Sequence, residues 1–167
     1  MSVADAEDSD APENVRVAPR VRRVSARDTE FGQGADFECA YEVDIAPEDD
    51  RCAGEWAREA WEGASAPLRW FMLAGWRLVL GLHLGRRSSP DHILGWQVAQ
   101  QDFDKTVCQA ASRFLHATNR FERIEGRLVW STYVTYDRRI AHVIWPPVSL
   151  LHRPLVRIAL RRAALHN

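Results

Sequence analysis

The sequence is poor in cysteine and carries none of the common catalytic or cofactor-binding motifs. Its three cysteines, Cys39, Cys52 and Cys108, are far apart and form no CxxC pair. A disulfide framework and a zinc site are therefore not expected, and a reducing cytoplasm is the predicted location. The histidines lack metal-binding spacing such as HExxH, and no GxSxG, P-loop or GxGxxG motif is present. We expect no cofactor and no metal, and the sequence assigns no catalytic residue.

The sequence also lacks an excess of positive charge and a long uninterrupted apolar run. The formal net charge of −1 argues against nucleic-acid binding, which requires a broad basic surface. Lys105 is the only lysine, so arginine supplies nearly all of the basic charge. The N-terminus is acidic, which is unlike a signal peptide. The most apolar stretch, Leu68–Leu84, is interrupted by Arg69, Arg77 and His83, so we expect no transmembrane segment.

What the sequence does contain is a β-rich stretch between residues 92 and 136. In Arg127–Tyr136, β-branched and aromatic residues fill nearly every position, which favours a strand. The Glu125-Gly126 turn before it predicts a hairpin with Thr118–Ile124. A second hairpin is predicted between His92–Gln101 and Lys105–Leu115. We therefore predict an antiparallel sheet.

A further strand is predicted near the N-terminus, behind a charged tail. Residues 1–34 carry acids followed by arginines and few large apolar side chains, so we expect a disordered tail and a single folded domain over 35–167. Ala35–Ile45 alternates apolar residues with acids. This alternation predicts a strand with one buried face and one solvated face, at an exposed or edge position.

Three helices are predicted around this sheet. Arg51–Glu62 places its alanines and tryptophans on one face and its charges on the other, and an aspartate before it can serve as the cap. A second helix is predicted from Pro67 to residues 81–85, and the alternative for its last part is a strand. The third helix, rich in arginine, is expected to begin near Pro147 and to kink at Pro154. It is expected to cover the sheet; the alternative is a peripheral contact with an anionic membrane.

The order of these elements resembles a known architecture. A strand, two helices, antiparallel strands and a long terminal helix resemble the α+β helix-grip fold of the START/Bet v 1-like (SRPBCC) superfamily, in which a curved antiparallel sheet packs against a long C-terminal helix. The residues that carry the resemblance are STYVTYDRRIAHVIWPPVSLLHRPLVRIALRRA (Ser131–Ala163). They are similar to an uncharacterised, mainly actinobacterial, group of that superfamily, with a Thr-x-Val segment in the last strand and a helix opening on His152-Arg153. The family has more strands after the two helices than this sequence shows.

The resemblance implies a cavity between the sheet and the C-terminal helix for a small apolar molecule such as a lipid or a polyketide. The expected ligand-binding residues are Phe37, Tyr41, Trp96, Val98, Trp130, Thr132, Tyr136, Leu151 and His152. Tryptophans suit this role because their flat, rigid side chains present a large apolar surface to a ligand. Specificity is expected from the few polar groups in this set.

The first hypothesis is therefore a non-enzymatic binding protein. Two alternatives belong to other functional classes. An enzyme of the cyclase or dehydratase type would require His152, Tyr136 and Arg113 to converge inside the cavity as acid and base groups. A non-catalytic interaction module would dock through a tryptophan-rich surface or the arginine-bearing helix, including as a homodimer.

Overall fold

The computed structural model describes residues 19–26 and 29–166. Its strands are β1 (Arg22–Val24), β2 (Phe37–Asp44), β3 (Ser88–Ser89), β4 (His92–Ile93), β5 (Trp96–Gln101), β6 (Lys105–Ala111), β7 (Leu115–Ile124) and β8 (Arg127–Tyr136). Its helices are α1 (Thr29–Gly32), α2 (Ala53–Trp61), α3 (Ala66–Ala74), which continues into a π-helical turn (Gly75–Val79), and α4 (Ala141–Leu165). The strands form one curved antiparallel sheet in the order β1-β2-β8-β7-β6-β5-β4-β3. This α+β arrangement with a long C-terminal helix is consistent with a helix-grip fold.

The β7–β8 hairpin confirms the strongest strand prediction. β8 has the predicted bounds, and Ile124 pairs with Arg127 across the turn. Glu125 and Gly126 both have positive φ, at 48° and 73°. A two-residue turn of this kind matches the twist of the strands that it joins.

The second predicted hairpin has different boundaries from those expected. The predicted strand 92–101 is divided into β4 and β5, because Leu94 and Gly95 adopt positive φ values of 47° and 91° and turn the chain. β6 ends at Ala111, since the Ser112 hydroxyl accepts hydrogen bonds from the backbone N–H groups of the following turn, including that of Leu115 at 3.3 Å. The predicted strand Lys105–Leu115 was therefore too long, because Leu115 is already the first residue of β7.

β2 confirms the predicted N-terminal strand but not its position at an edge. It lies between β8 and the short strand β1. Glu42, expected on a solvated face, is only 6% exposed because Arg22 and Arg127 approach its carboxylate at 3.2 and 3.3 Å. Both β1 and α1 fall within the segment 1–34, so folded structure begins earlier than the predicted tail allows. Within that segment, residues 1–18 and 27–28 lie outside the described residues.

α2 and α3 follow the predicted helices closely. α2 buries its alanines and both tryptophans, as the periodicity indicates, although Cys52 rather than an aspartate occupies the N-cap position. α3 starts after Ser65 with Pro67 in its first turn. The helix continues through the π-helical turn to Val79, so a strand is excluded up to that residue. It ends before the predicted limit at residues 81–85, where Gly81 has a positive φ of 59°.

α4 begins earlier than predicted and contains three prolines. Its first residue is Ala141, before Pro146 and Pro147, although proline is normally confined to the first turn because it lacks a backbone N–H. The buried Trp145 packs edge-on against Phe37 of β2, with ring centroids 5.2 Å apart, and this contact anchors the early start. Within the described residues, no helix combines the length and the hydropathy of a bilayer span.

The Gly95 turn generates a test of the fold. An alanine Cβ at this position would lie 3.0 Å from the Leu84 Cβ and 3.4 Å from the Gly85 carbonyl oxygen. Gly126 shares the positive φ but has no atom within 4 Å of an added Cβ. We expect Gly126→Ala to lower the free energy of unfolding by about 1 kcal/mol, and Gly95→Ala to lower it by more, because strain and steric conflict add. Urea denaturation measures both, and equal losses would show that the close approach at Gly95 is unimportant.

Arg162 generates a second test, because it joins α4 to the C-terminal end of α2. Its guanidinium donates to the backbone carbonyls of Glu59 and Gly63, and it approaches the Glu59 carboxylate at 3.3 Å. We expect Arg162→Met to cost about 2 kcal/mol of unfolding free energy, since these carbonyls lose a charged donor. The matched control is Arg161→Met at the exposed neighbouring position, which should change stability by less than about 0.5 kcal/mol. Similar effects of the two substitutions in thermal unfolding would contradict this role.

Candidate functional site

A cluster of aromatic rings forms where α2, the π-helical turn and the sheet meet. Trp61, the last residue of α2, is fully buried. Its ring centroid lies 5.7 Å from that of Trp76, 5.5 Å from Trp96, 5.8 Å from Trp130 and 5.4 Å from Phe121. These are favourable tilted and edge-to-face separations. The cluster therefore holds the π-helical turn against β5, β7 and β8.

Beside this cluster lies a cavity of about 590 Å³, between the sheet and α4. Its floor includes Trp96, Trp130 and Ala117 from the sheet. One wall is α4, and the opposite wall is α3 with the π-helical turn. No aspartate, glutamate, lysine or arginine is among the lining residues within the described part of the chain. The volume and the apolar walls are typical of pockets that bind small molecules.

The mouth of the cavity is bordered by large apolar side chains that are unusually exposed. Phe71 of α3 and Leu78 of the π-helical turn are 53% and 83% exposed, and Leu151 of α4 is 57% exposed. The turn has π geometry because the Leu80 N–H donates to the Gly75 carbonyl oxygen at 3.0 Å. Such an insertion shifts the helical register and is frequent at functional sites. Exposed apolar side chains around a concave surface are a feature of ligand-binding sites.

Three polar side chains interrupt the apolar lining, and they are joined by hydrogen bonds. Asn119 of β7 accepts at Oδ1 from the Trp130 indole N–H at 2.8 Å and from the Thr132 hydroxyl at 2.7 Å. The Thr132 hydroxyl oxygen also lies 3.1 Å from Nε2 of His152, which comes from α4. The network therefore connects the floor of the cavity to its helical wall.

His152 is neutral at physiological pH in this environment. Burial among protein atoms lowers its pKa to about 4, and the positive charge of Arg153 acts in the same direction. The side chain retains some exposed surface because it borders the cavity. A neutral imidazole has one donating and one accepting nitrogen, so its hydrogen bonds are directional.

Five of the nine predicted ligand-binding residues line the cavity, namely Trp96, Trp130, Thr132, Leu151 and His152. The other four are absent from its lining, namely Phe37, Tyr41, Val98 and Tyr136. α4 packs directly on β2 and occupies the space in front of the first two. Val98 lies at a bulge in β5, and Tyr136 packs against His142 at the start of α4, with ring centroids 4.7 Å apart.

Sequence reasoning missed the α3 wall and the polar residue Asn119. On β7, Leu115, Ala117, Asn119 and Phe121 are buried at alternate positions. One asparagine on an otherwise apolar strand face was the signal available for this residue. Nothing in the sequence pattern indicated that Trp61 or the π-helical turn would face the same space as α4.

The groups required for acid–base catalysis do not converge in the cavity. Of His152, Tyr136 and Arg113, only the histidine lines it. Burial raises the pKa of the Cys39 thiol to about 11 and that of the Cys108 thiol to about 12, so both are protonated and unreactive at neutral pH. In the described part of the chain, no group of three or more histidine, cysteine or acidic side chains is arranged to hold a metal ion.

The low pKa of His152 predicts a pH-dependent stability. Below pH 6.5 the unfolded chain takes up a proton at this residue while the folded protein does not, so stability falls as the pH decreases towards 4. The difference in pKa corresponds to a loss of about 3 kcal/mol across that window. We expect His152→Gln, which retains a side-chain donor, to lose stability less steeply than the wild type between pH 6.5 and 4. Urea denaturation at a series of pH values measures this, and parallel curves for the two proteins would contradict it.

No family model, no curated protein and no solved structure matches this chain. The similarity to the START/Bet v 1-like superfamily therefore depends on the residues of the last strand and helix quoted above, together with the order of the elements. The antiparallel sheet and the long C-terminal helix agree with that architecture. Membership of the superfamily is a prediction.

Proposed function

We propose that the protein binds a small apolar molecule in the cavity between the sheet and α4, as the helix-grip proteins that its sequence resembles do. The observation that carries this proposal is the cavity itself, which has a volume of about 590 Å³ and no charged side chain in its described lining. Such a space is large enough for a compact lipid-like or polycyclic molecule. The ligand would be a neutral or largely apolar compound rather than a polar metabolite.

The energetic basis is the removal of apolar surface from water on both partners. Each Å² buried contributes roughly 25 cal/mol, and the tryptophans of the floor offer large areas with few rotatable bonds. Trp96 and Trp130 are held by Trp61 before any ligand arrives. Preorganised walls of this kind lose little conformational entropy on binding, which favours affinity.

The exposed rim supports the same function. Phe71, Leu78 and Leu151 lie at the opening, where their side chains contact water in the free protein. A ligand that fills the mouth would cover part of this surface. The rim therefore favours binding of a molecule that extends from the floor of the cavity to its opening.

Adjacent leucines of α4 provide a test with an internal control. Leu151 lines the cavity, whereas Leu150 is similarly exposed and lies outside the lining. We expect Leu151→Glu to weaken binding of the fluorescent apolar probe N-phenylnaphthylamine about tenfold, because the mouth loses apolar contact and gains a charge. Leu150→Glu should leave the dissociation constant unchanged.

Fluorescence titration of the two variants and the wild type distinguishes the outcomes. Both substitutions add the same charge to neighbouring exposed positions, so a general electrostatic effect would weaken binding equally. Equal affinities of the two variants, or no binding of the probe to the wild type, would contradict the proposed site.

A further inference from the structure

The three polar groups of the cavity are placed together by the strand register and by α4. Asn119 and Thr132 are directly paired residues of β7 and β8, so their side chains stand side by side on the same face of the sheet. His152 approaches them from the α4 wall. A chain of hydrogen-bonded polar side chains therefore crosses a largely apolar lining, and its donors and acceptors can be assigned.

The Trp130 indole determines the orientation of Asn119. An indole N–H can only donate, so the atom that it meets at 2.8 Å must be the amide oxygen. The amide NH₂ then points away from Trp130. Asn119 is only 2% exposed and lines the cavity, yet its NH₂ has no hydrogen-bond partner among the described residues. This group is an unused donor at the cavity wall.

The orientation of the Asn119 amide in turn determines which ring nitrogen of His152 carries the proton. The amide oxygen has no proton, so the Thr132 hydroxyl must donate to it. Towards His152 the same hydroxyl can only accept, and the proton of that contact must be on Nε2. In the neutral ring Nδ1 is then an acceptor, and within the described residues it has no partner. The cavity therefore presents one free acceptor in addition to the free donor.

We propose that the natural ligand carries a neutral hydroxyl group, as an alcohol or a phenol, on its apolar body. The hydroxyl would donate to Nδ1 of His152, which points away from Thr132. The NH₂ group of Asn119 lies on the other side of the Thr132 contact and can donate to a second oxygen of the ligand. This inference rests on the proposed function and specifies the ligand class for the same cavity. A carboxylate is disfavoured because no positively charged side chain is found in the described lining to compensate its charge.

Discrimination is expected to be strong because the surroundings are apolar. A ligand without the hydroxyl would cover Nδ1 of His152 while leaving it unpaired, which costs more than the absence of a bond in water. Sites built in this way reject analogues that lack the polar group. The shape of the apolar part would be recognised less strictly, since the walls contact it through dispersion and burial alone.

Competition with a matched series of ligands tests the inference on the intact protein. Naphthol, methylnaphthalene and naphthoate, substituted at the same ring position, share one apolar body and differ in the polar group. Each displaces bound N-phenylnaphthylamine in a fluorescence titration at neutral pH. We expect naphthol to bind at least tenfold more tightly than methylnaphthalene and more tightly than naphthoate.

Two substitutions connect the preference to the assigned nitrogen. His152→Phe keeps a ring but removes both nitrogens, and it should reduce the ratio of naphthol to methylnaphthalene affinity to near one. His152→Gln supplies an amide donor and an amide acceptor, and it should restore part of the preference. A general packing defect at position 152 would lower both affinities in both variants and leave their ratio unchanged.

The outcomes separate this inference from the proposed function. Equal affinities of naphthol and methylnaphthalene would overturn the hydroxyl assignment while leaving an apolar-ligand protein. Tightest binding of naphthoate would overturn it in favour of an anionic ligand. If the fluorescent probe itself did not bind, both the proposed function and the inference would be wrong.

Discussion

The burial of Trp61 is the constraint on which the arrangement around the cavity depends. One indole ring at the end of α2 contacts aromatic rings from the π-helical turn, β5, β7 and β8. Arg162 of α4 donates to the carbonyl groups of the same helix end. Because both contacts involve the last turn of α2, this turn positions the two walls of the cavity relative to its floor. The π-helical turn and α4 are each held by α2, and the cavity is the space that remains between them.

The polar network shows why a few hydrogen bonds determine most of the ligand specificity of such a site. Apolar walls accept many shapes, but Asn119, Thr132 and His152 form a directed chain in which each proton has one consistent position. The chain begins at Trp130, whose indole can only donate. Low local polarity strengthens each of these bonds and also increases the cost of an unpaired group. Burial keeps His152 neutral, and that neutrality preserves its accepting nitrogen.

The sequence predicted elements best where local chemistry and tertiary packing agree. The β7–β8 hairpin was predicted because a Glu-Gly turn precedes a run of β-branched and aromatic residues, and the buried face of α2 followed from its periodicity. The start of α4 was predicted wrongly because two prolines argued for a later one. Packing of Trp145 on Phe37 outweighs that local preference. The break at Leu94 was missed because a leucine with positive φ has no sequence signature.

The residues of the candidate site can likewise be separated into those that the sequence predicted and those that only the structure revealed. By itself the sequence indicated an apolar face on β2, β8 and α2, since alternation and helical period are properties of one element. The resemblance to the helix-grip architecture grouped Trp96, Trp130, Thr132, Leu151 and His152 with four other residues as a ligand-binding set. Only the tertiary structure decided that Phe37 and Tyr41 are covered by α4, and that Asn119, Trp61 and the π-helical turn face the same space. The size of a cavity depends on the distance between faces of different elements, and no pattern within a single element encodes that distance.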